Sequence, residues 1–264
     1  MKKRSPRLGQ HFLTSSAIAY EIAAAGNIRK GETVLEVGPG KGMLTRALLN
    51  TGATVVAIEK DPALTCIIYD TFSKEISRGQ LRIIERDVRD PTLNATLKTL
   101  HSSYKVIANI PYYITGELIR MFLTAQHQPS TIVFLVQKEV AERIARSKKE
   151  SLLSLSVKAY GTPRYIKTVK AGSFSPSPAV DSAILAIENI SRKNFANVSE
   201  EKFFEILHAG FGQKRKTLLG NLKRTKSGHP MSTFEEAWVK LGLNPKVRAE
   251  DVPLEAWLAL AKNL

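Results

Sequence analysis

The chain has 264 residues, 43% of them hydrophobic, enough for one large core or for a main domain and a small second one. Lys and Arg total 39 against 24 acidic residues, a formal net charge of +15 that favours a polyanionic partner, either nucleic acid or an anionic membrane surface. No apolar run approaches bilayer length, no long apolar segment follows the basic start Met1–Pro6, and the single Cys66 excludes an internal disulfide and a cysteine metal cluster. The expected setting is therefore the cytoplasm or an organelle matrix, with no membrane and no metal, and Cys66 is expected to pack in a helix.

Lys2–Arg7 is a basic, proline-containing arm, and Leu8–Leu13 is mixed polar and apolar. Ser15 or Ser16 can cap a helix that runs to Ala25, with Gly26 as its stop. His11 alone reads as an ordinary histidine, yet its place just before this helix makes it a candidate lid over a pocket. Thr33–Val37 is a short strand that runs into Gly38-Pro39-Gly40-Lys41-Gly42, and a helix follows from Met43 to about Asn50. A second strand, Thr54–Ile58, ends at Glu59. This is a βαβ unit with a glycine-rich first turn and an acidic residue at the second strand's end. The glycines let the backbone approach a ligand, and the carboxylate can accept from both hydroxyls of a ribose. The third glycine comes one residue earlier than in the dinucleotide fingerprint, and Glu36 precedes the first. That pattern looks like the S-adenosylmethionine site of methyltransferases. Asp61-Pro62 begins the next helix as cap and first position. Leu81–Ile84 is a third strand ending near Asp87, which can take the amino edge of an adenine or cap the following turn; the residues alone leave both open.

Tyr104–Ala108 is a fourth, buried strand that leads into Asn109-Ile110-Pro111-Tyr112. Asparagine can hydrogen-bond an amine edge, proline stiffens the backbone, and tyrosine offers a face for a base. At a strand's C-terminal end these types suit a rim that grips a flat ligand. Thr115 begins another helix. Thr131–Val136 is a fifth strand, apolar enough to be covered on both faces. Gln137–Arg143 follows as an amphipathic helix, Arg146–Glu150 as a charged break that reads as a mobile loop, and Ser151–Ala159 as a helix. Arg164–Val169 and Ser182–Ile187 are the last two strands. Between them Phe174–Asp181 carries two prolines. Phe174 can close on a base or pack in the core, and both readings stay open.

Near Asn189–Asn197 the composition turns polar, which marks a linker, and strand signals stop. Four helical patterns follow: Glu200–Ala209, Lys214–Lys223, Thr233–Leu241 and Leu254–Ala261. The expected division is residues 1–190 as a cofactor-binding catalytic domain and residues 191–264 as a small all-α domain. From Lys214 to Lys226 there are six basic residues and no acidic one, the composition of a phosphate-binding surface.

Gln10–Leu13, Glu36–Gly42, Asn109–Tyr112, Gln137–Arg143, Phe174–Ser182 and Phe211–Leu222 come in the order seen in ribosomal RNA adenine dimethyltransferases, and the chain resembles that family over nearly its whole length. The first five blocks are shared with the erythromycin-resistance enzymes of large-subunit ribosomal RNA. The block Lys214-Arg215-Lys216-Thr217-Leu218 looks like the small-subunit enzyme, which dimethylates two adjacent adenosines near the 3′ end of that RNA. His11 stands where asparagine is frequent, and Arg86-Asp87-Val88 replaces a more usual Gly-Asp-Ala. The resemblance implies a Rossmann-like α/β methyltransferase fold with a mostly parallel seven-stranded sheet. It implies S-adenosylmethionine contacts at His11, Leu13, Gly38, Glu59, Asp87 and Asn109, of which the residue patterns reach the last four. It also implies a catalytic set of Asn109, Ile110, Pro111, Tyr112 and Phe174. The implied partner is small-subunit ribosomal RNA in a pre-30S particle, met by a monomer. Three rival readings stand beside it: the large-subunit enzyme, an assembly protein with this fold but no turnover, and a nicotinamide-dependent oxidoreductase. Intact glycines, Glu59 and Asn109 argue against the second, and the glycine spacing against the third.

Overall fold

The computed structural model describes residues 11–93, 97, 100, 103–223 and 238–263. The arm Lys2–Arg7, Gln10, Arg224, Lys226 and most of the pattern Thr233–Leu241 lie outside them. The chain divides into two compact units. One takes the residues up to Ala141 together with Pro163–Ile190; the other takes Glu142–Thr162 and the residues from Ser191 onward.

In the first unit, β-branched and apolar runs form the strands β2 (Thr33–Val37), β3 (Thr54–Glu59), β4 (Leu81–Glu85), β5 (Tyr104–Asn109), β6 (Thr131–Gln137), β7 (Thr162–Val169) and β9 (Ser182–Glu188). They build one seven-stranded sheet in the order β4-β3-β2-β5-β6-β9-β7. The pairs β4/β3, β3/β2, β2/β5 and β5/β6 are parallel, and β6/β9 is antiparallel. The chain winds outward from β2 through β3 and β4. It then returns to lay β5 on the other side of β2, so the strand order reverses between β2 and β5. A reversal of this kind opens a crevice at the C-terminal ends of the strands. Pro163 sits in β7, at the sheet's edge, where a missing amide hydrogen costs no ladder bond.

Two strands of two residues were not legible in advance. Phe12–Leu13 (β1) pairs antiparallel with Phe174–Ser175 (β8), Phe12 opposite Ser175 and Leu13 opposite Phe174. Thr14 extends the join, donating from its amide and its hydroxyl to Ser173 O at 2.9 and 3.0 Å. Segments about 160 residues apart are thus fastened together across the sheet.

Helix starts follow local chemistry. Ser15 caps α1 (Ser16–Ala25) by accepting from Ile18 N, and Asp61 caps α3 (Pro62–Thr71) by accepting from Ala63 N. The glycine loop ends at Gly42, the N-cap of α2 (Met43–Leu49), with φ +83°. A Cβ there would lie 2.4 Å from the Phe72 ring, so geometry and space both require glycine. Cys66 lies on α3 but is exposed rather than packed, because the buried face is set by Leu64, Thr65 and Ile68.

The second unit contains α7 (Leu152–Tyr160), α8 (Glu200–Gly210), α9 (Leu218–Leu222) and α10 (Leu254–Asn263). Of the helices between, α4 (Ser73–Ser77) and α5 (Thr115–Thr124) belong to the first unit, and α6 (Lys138–Ala145) runs from the first into the second. Tyr160 explains why α7 joins the residues after 191: its ring packs against Phe195 at 5.1 Å and Phe204 at 6.0 Å. Trp257, fully buried, stacks on Phe211 at 5.7 Å. Fully burying a large side chain of this kind contributes about 1.5–3 kcal/mol. The expected division at residue 190 is crossed once more by Glu142–Thr162. Two expectations are corrected. The break Arg146–Glu150 is tied down rather than loose: Lys149 pairs with Glu250, Glu150 pairs with Lys158, and Glu150 N donates to Glu250 O at 2.7 Å. The helix expected from Lys214 begins only at Leu218, because Thr217 acts as its cap and accepts from Gly220 N.

Candidate active site

A cavity of about 170 Å³ lies at the C-terminal ends of β2, β3 and β5, and its lining includes His11, Gly38, Glu59, Asp87, Asn109 and Tyr112. Leu13, Ile110 and Pro111 line it as well. Of the catalytic and cofactor-binding candidates, Phe174 alone stays away from the lining. It is 5% exposed and belongs to the hydrophobic core with Leu13, its cross-strand partner, so its ring lies among core residues.

The cavity is acidic on its inner side. Glu59 closes β3 and is buried. One of its oxygens accepts from Lys60 N and Asp61 N at 2.9 and 3.0 Å, and the other from Gly40 N at 3.3 Å. This carboxylate therefore braces the glycine loop as well as facing the cavity. Gly40 has φ +58°, and a Cβ on it would press on the Phe12 ring at 3.1 Å. The loop and the β1 strand fit together only with glycine at this position.

In the sequence Glu36 stands two residues before the first glycine, as part of the glycine-loop pattern. The structure puts it on the cavity wall, 1% exposed, in the middle of the sheet between Ala57 and Ile107. Thr45 Oγ1 donates to Glu36 Oε2 at 2.7 Å, while Oε1 is buried with no hydrogen-bond partner. Burial, reinforced by the neighbouring Glu59, pushes its carboxyl up to about 8. An acid inside an otherwise apolar strand, TVLEV, was the available signal.

Asp87 caps the following turn and also faces the cavity. Its Oδ1 accepts from Arg89 N at 3.0 Å, the bond of a turn cap, and its carboxylate lines the cavity. Arg89 also holds it through Nε at 3.0 Å and Nη2 at 2.7 Å. These hydrogen bonds pull the carboxyl down to about 2. Lys41, Lys60, Arg86 and Arg89 stand on the same wall, so the acidic interior has basic side chains around it.

Asn109 ends β5 opposite Leu135. Its Nδ2 donates to His11 O at 3.1 Å, which orients the amide and leaves Oδ1 as an acceptor. His11 Nδ1 donates to Pro176 O at 2.8 Å, and its ring stacks on Tyr112 at 5.8 Å between centroids. Tyr112 OH and Ser182 Oγ share a hydrogen bond at 2.6 Å. Burial raises the Tyr112 phenol above its ordinary range. The N-terminal strap, the loop after β8 and the start of β9 thus converge on Asn109 and Tyr112. In the second unit the triplet Lys214-Arg215-Lys216 is exposed on a turn. Asn221, itself buried, fastens that turn by donating to Gly210 O at 2.6 Å and Gln213 O at 3.0 Å.

Comparison with known proteins identifies this architecture. The model of a family described as ribosomal RNA adenine dimethylase matches residues 1–264. A Ribosomal RNA small subunit methyltransferase A from Dehalococcoides mccartyi is 38% identical over 254 residues, covering 96% of this chain and 86% of the relative. The protein of the same name from Deinococcus radiodurans is 36% identical over 266 residues, covering 99% and 86%. A dimethyladenosine transferase from Plasmodium falciparum shares the structure with a TM-score of 0.76, at 25% identity over 95% of this chain and 96% of that one. The 23S rRNA methyltransferase ErmE shares the fold, with a TM-score of 0.72 at 23% identity over 96% and 99%. The fold and the family imply S-adenosylmethionine as methyl donor. With its mostly parallel seven-stranded sheet and its glycine loop, the chain belongs to the ribosomal RNA adenine dimethylase family of methyltransferases.

Proposed function

We propose that this enzyme dimethylates the exocyclic amine of two adjacent adenosines near the 3′ end of small-subunit ribosomal RNA, within a maturing small subunit. The observation that carries the chemical part is the oriented amide of Asn109, whose Nδ2 is engaged by His11 O and whose Oδ1 is left to accept a proton donor in the cavity. The small-subunit assignment is supported by relatives that are 32–39% identical and bear that name, and by the exposed basic turn Lys214–Lys216. The large-subunit alternative has a likeness of fold to ErmE and the five shared motif blocks in its favour, and these do not separate it from the small-subunit reading.

The residues fit S-adenosylmethionine. Glu36 Oε1, buried without a partner on the cavity wall, suits the cofactor's ammonium. Glu59 suits the ribose hydroxyls and Asp87 the adenine amine, with His11, Leu13 and Gly38 completing the cradle. When bound, the cofactor supplies a methyl group already activated on a sulfonium. The reluctant partner is the target amine, whose lone pair is delocalised into the adenine ring. Asn109 Oδ1 and the carbonyl of Ile110 accept its hydrogens, so that the nitrogen pyramidalises in line with the methyl group. No strong base is required, because the methylated amine loses its proton readily. Pro111 keeps the backbone of this rim stiff. Tyr112, its hydroxyl anchored on Ser182, offers a ring face to the extruded base. Phe174, buried against Leu13, acts from beneath by supporting the strap. The second unit binds RNA phosphates through Lys214, Arg215 and Lys216. The proposed substrate, a maturing ribosomal subunit, places the enzyme in the cytoplasm, where we take it to act as a monomer.

The test offers the enzyme both ribosomal RNAs, as free RNA and as particles, and maps the methylated positions by mass spectrometry. Dimethylation of two adjacent small-subunit adenosines is expected, and modification of the large-subunit RNA alone would overturn the assignment. In single-turnover assays Asn109→Ala should lose on the order of a hundredfold or more in rate with RNA affinity largely kept. The second methyl transfer should suffer more, since the amine then has one hydrogen left to donate. Full-rate dimethylation by this variant would refute the role of Asn109.

A further inference from the structure

We propose that Tyr113 is the stacking surface for the nucleotide next to the target adenosine, so that one mouth reads two consecutive purines. The proposal rests on the reading that the target adenine enters beside Asn109 and Tyr112.

Tyr113 is 64% exposed, although it lines the same cavity as Asn109 and Tyr112. Its neighbours turn inward: Ile114 is 7% exposed, and the Tyr112 hydroxyl is held by Ser182. All three residues form one 3-10 turn, Tyr112–Ile114. Successive side chains on such a turn diverge by about 120°. The two phenols therefore leave the backbone in different directions and cannot clasp one base between them. Tyr113 needs a different occupant from Tyr112.

The support under Tyr113 is stiff. Ile114 N donates to Pro111 O at 3.2 Å, the next amide donates to Tyr112 O, and Pro111 holds φ at −60°. The point from which the ring leaves the backbone is thus fixed relative to Tyr112. Arg89 lines the same cavity as Tyr113. Asp87 takes the Nε and Nη2 edge of that guanidinium, leaving Nη1 donors for a phosphate. An exposed aromatic face beside a cation matches a nucleotide of a single strand.

Base extrusion supplies the need for this surface. When the target adenine leaves its stack, the adjoining base loses its partner on one side. A ring one residue beyond the ring that receives the target can cover that bared face. In a substrate with two adjacent adenosines the covered base is the other adenine for one of the two targets and a flanking nucleotide for the other.

The experiment measures methylation of unmethylated small-subunit particles by Tyr113→Ala, Tyr113→Leu and Tyr113→Phe, with calorimetric binding of S-adenosylhomocysteine as control. Tyr113→Ala should raise KM for the particle roughly tenfold, with kcat and cofactor affinity within about twofold of wild type. Tyr113→Phe should restore KM, and Tyr113→Leu should not. Particles reconstituted with an abasic nucleotide beside the target should bring wild type to the level of Tyr113→Ala and leave that variant no worse. Equal rescue by leucine and phenylalanine, or penalties of variant and abasic site that multiply, would overturn the proposal. An unchanged KM for Tyr113→Ala, with Asn109→Ala inactive, rejects the Tyr113 surface while the active-site reading stands. Full activity of Asn109→Ala rejects the active-site reading itself.

Discussion

Replacing Glu36 with glutamine removes a carboxyl group that is buried between Thr45 and an unpartnered pocket of the cavity wall. In the free protein burial holds that carboxyl at about 8, so it is about nine-tenths protonated at pH 7. A cofactor ammonium beside Oε1 stabilises the charged form, and binding must therefore release close to one proton. If binding requires the carboxylate, the apparent Kd scales as one plus the ratio of protonated to ionised Glu36. Between pH 6 and pH 8 that factor falls from about 100 to about 2, so affinity should tighten about fiftyfold. S-adenosylhomocysteine is the suitable probe, since no sulfonium acidifies its own ammonium. Calorimetry in buffers of different ionisation enthalpy counts the released protons directly. Glu36→Gln should bind more weakly at pH 8, show no pH dependence from this group, and release no proton. The same group shapes stability with a definite sign. Its pKa is raised on folding, so its contribution is fully present below the ordinary value of 4.5 and is lost as pH rises through about 8. The cofactor-free enzyme should lose melting temperature over that window, and Glu36→Gln should flatten the loss. A Kd for wild type that is constant from pH 6 to pH 8 would refute the reasoning.

Three other outcomes are expected. Glu59→Ala should weaken cofactor binding by about 1.5–3 kcal/mol and also lower the melting temperature of the free protein, since the same carboxylate holds the amides of Gly40, Lys60 and Asp61; an unchanged Kd by calorimetry rejects the assignment. Replacing Lys214, Arg215 and Lys216 with alanine should reduce RNA affinity and flatten its log–log salt dependence by about 0.9 per lost duplex phosphate contact, somewhat less on single strands, with cofactor binding kept; a slope that does not move makes these residues a solvated turn. Gly42→Ala should lower stability by a few kcal/mol, roughly, because its Cβ meets the Phe72 ring at 2.4 Å on a backbone at φ +83°, and a melting curve coincident with wild type would contradict that packing.

The seven strands, the βαβ start and the cavity-lining residues Gly38, Glu59, Asp87 and Asn109 were legible in the sequence. Strand and helix periodicities are local, and glycine, proline and capping residues punctuate them at short range. The resemblance added His11 and Leu13, which spacing alone did not reach. Long-range contacts left no such trace. Two-residue strands carry no period, so the β1–β8 join that brings His11 over Asn109 and draws Phe174 into the core appeared only in three dimensions. The same holds for Glu142–Thr162, whose membership of the second unit follows from Tyr160 meeting Phe195 and Phe204. Lys214–Lys216 read as helical from composition, but Thr217 chose the cap and a buried Asn221 chose the turn. Glu36 shows the division most sharply. The sequence determined that an acid stands in an apolar strand, and only the sheet around it decided that the acid is buried and half-paired, because desolvation depends on neighbours that the chain brings from far away.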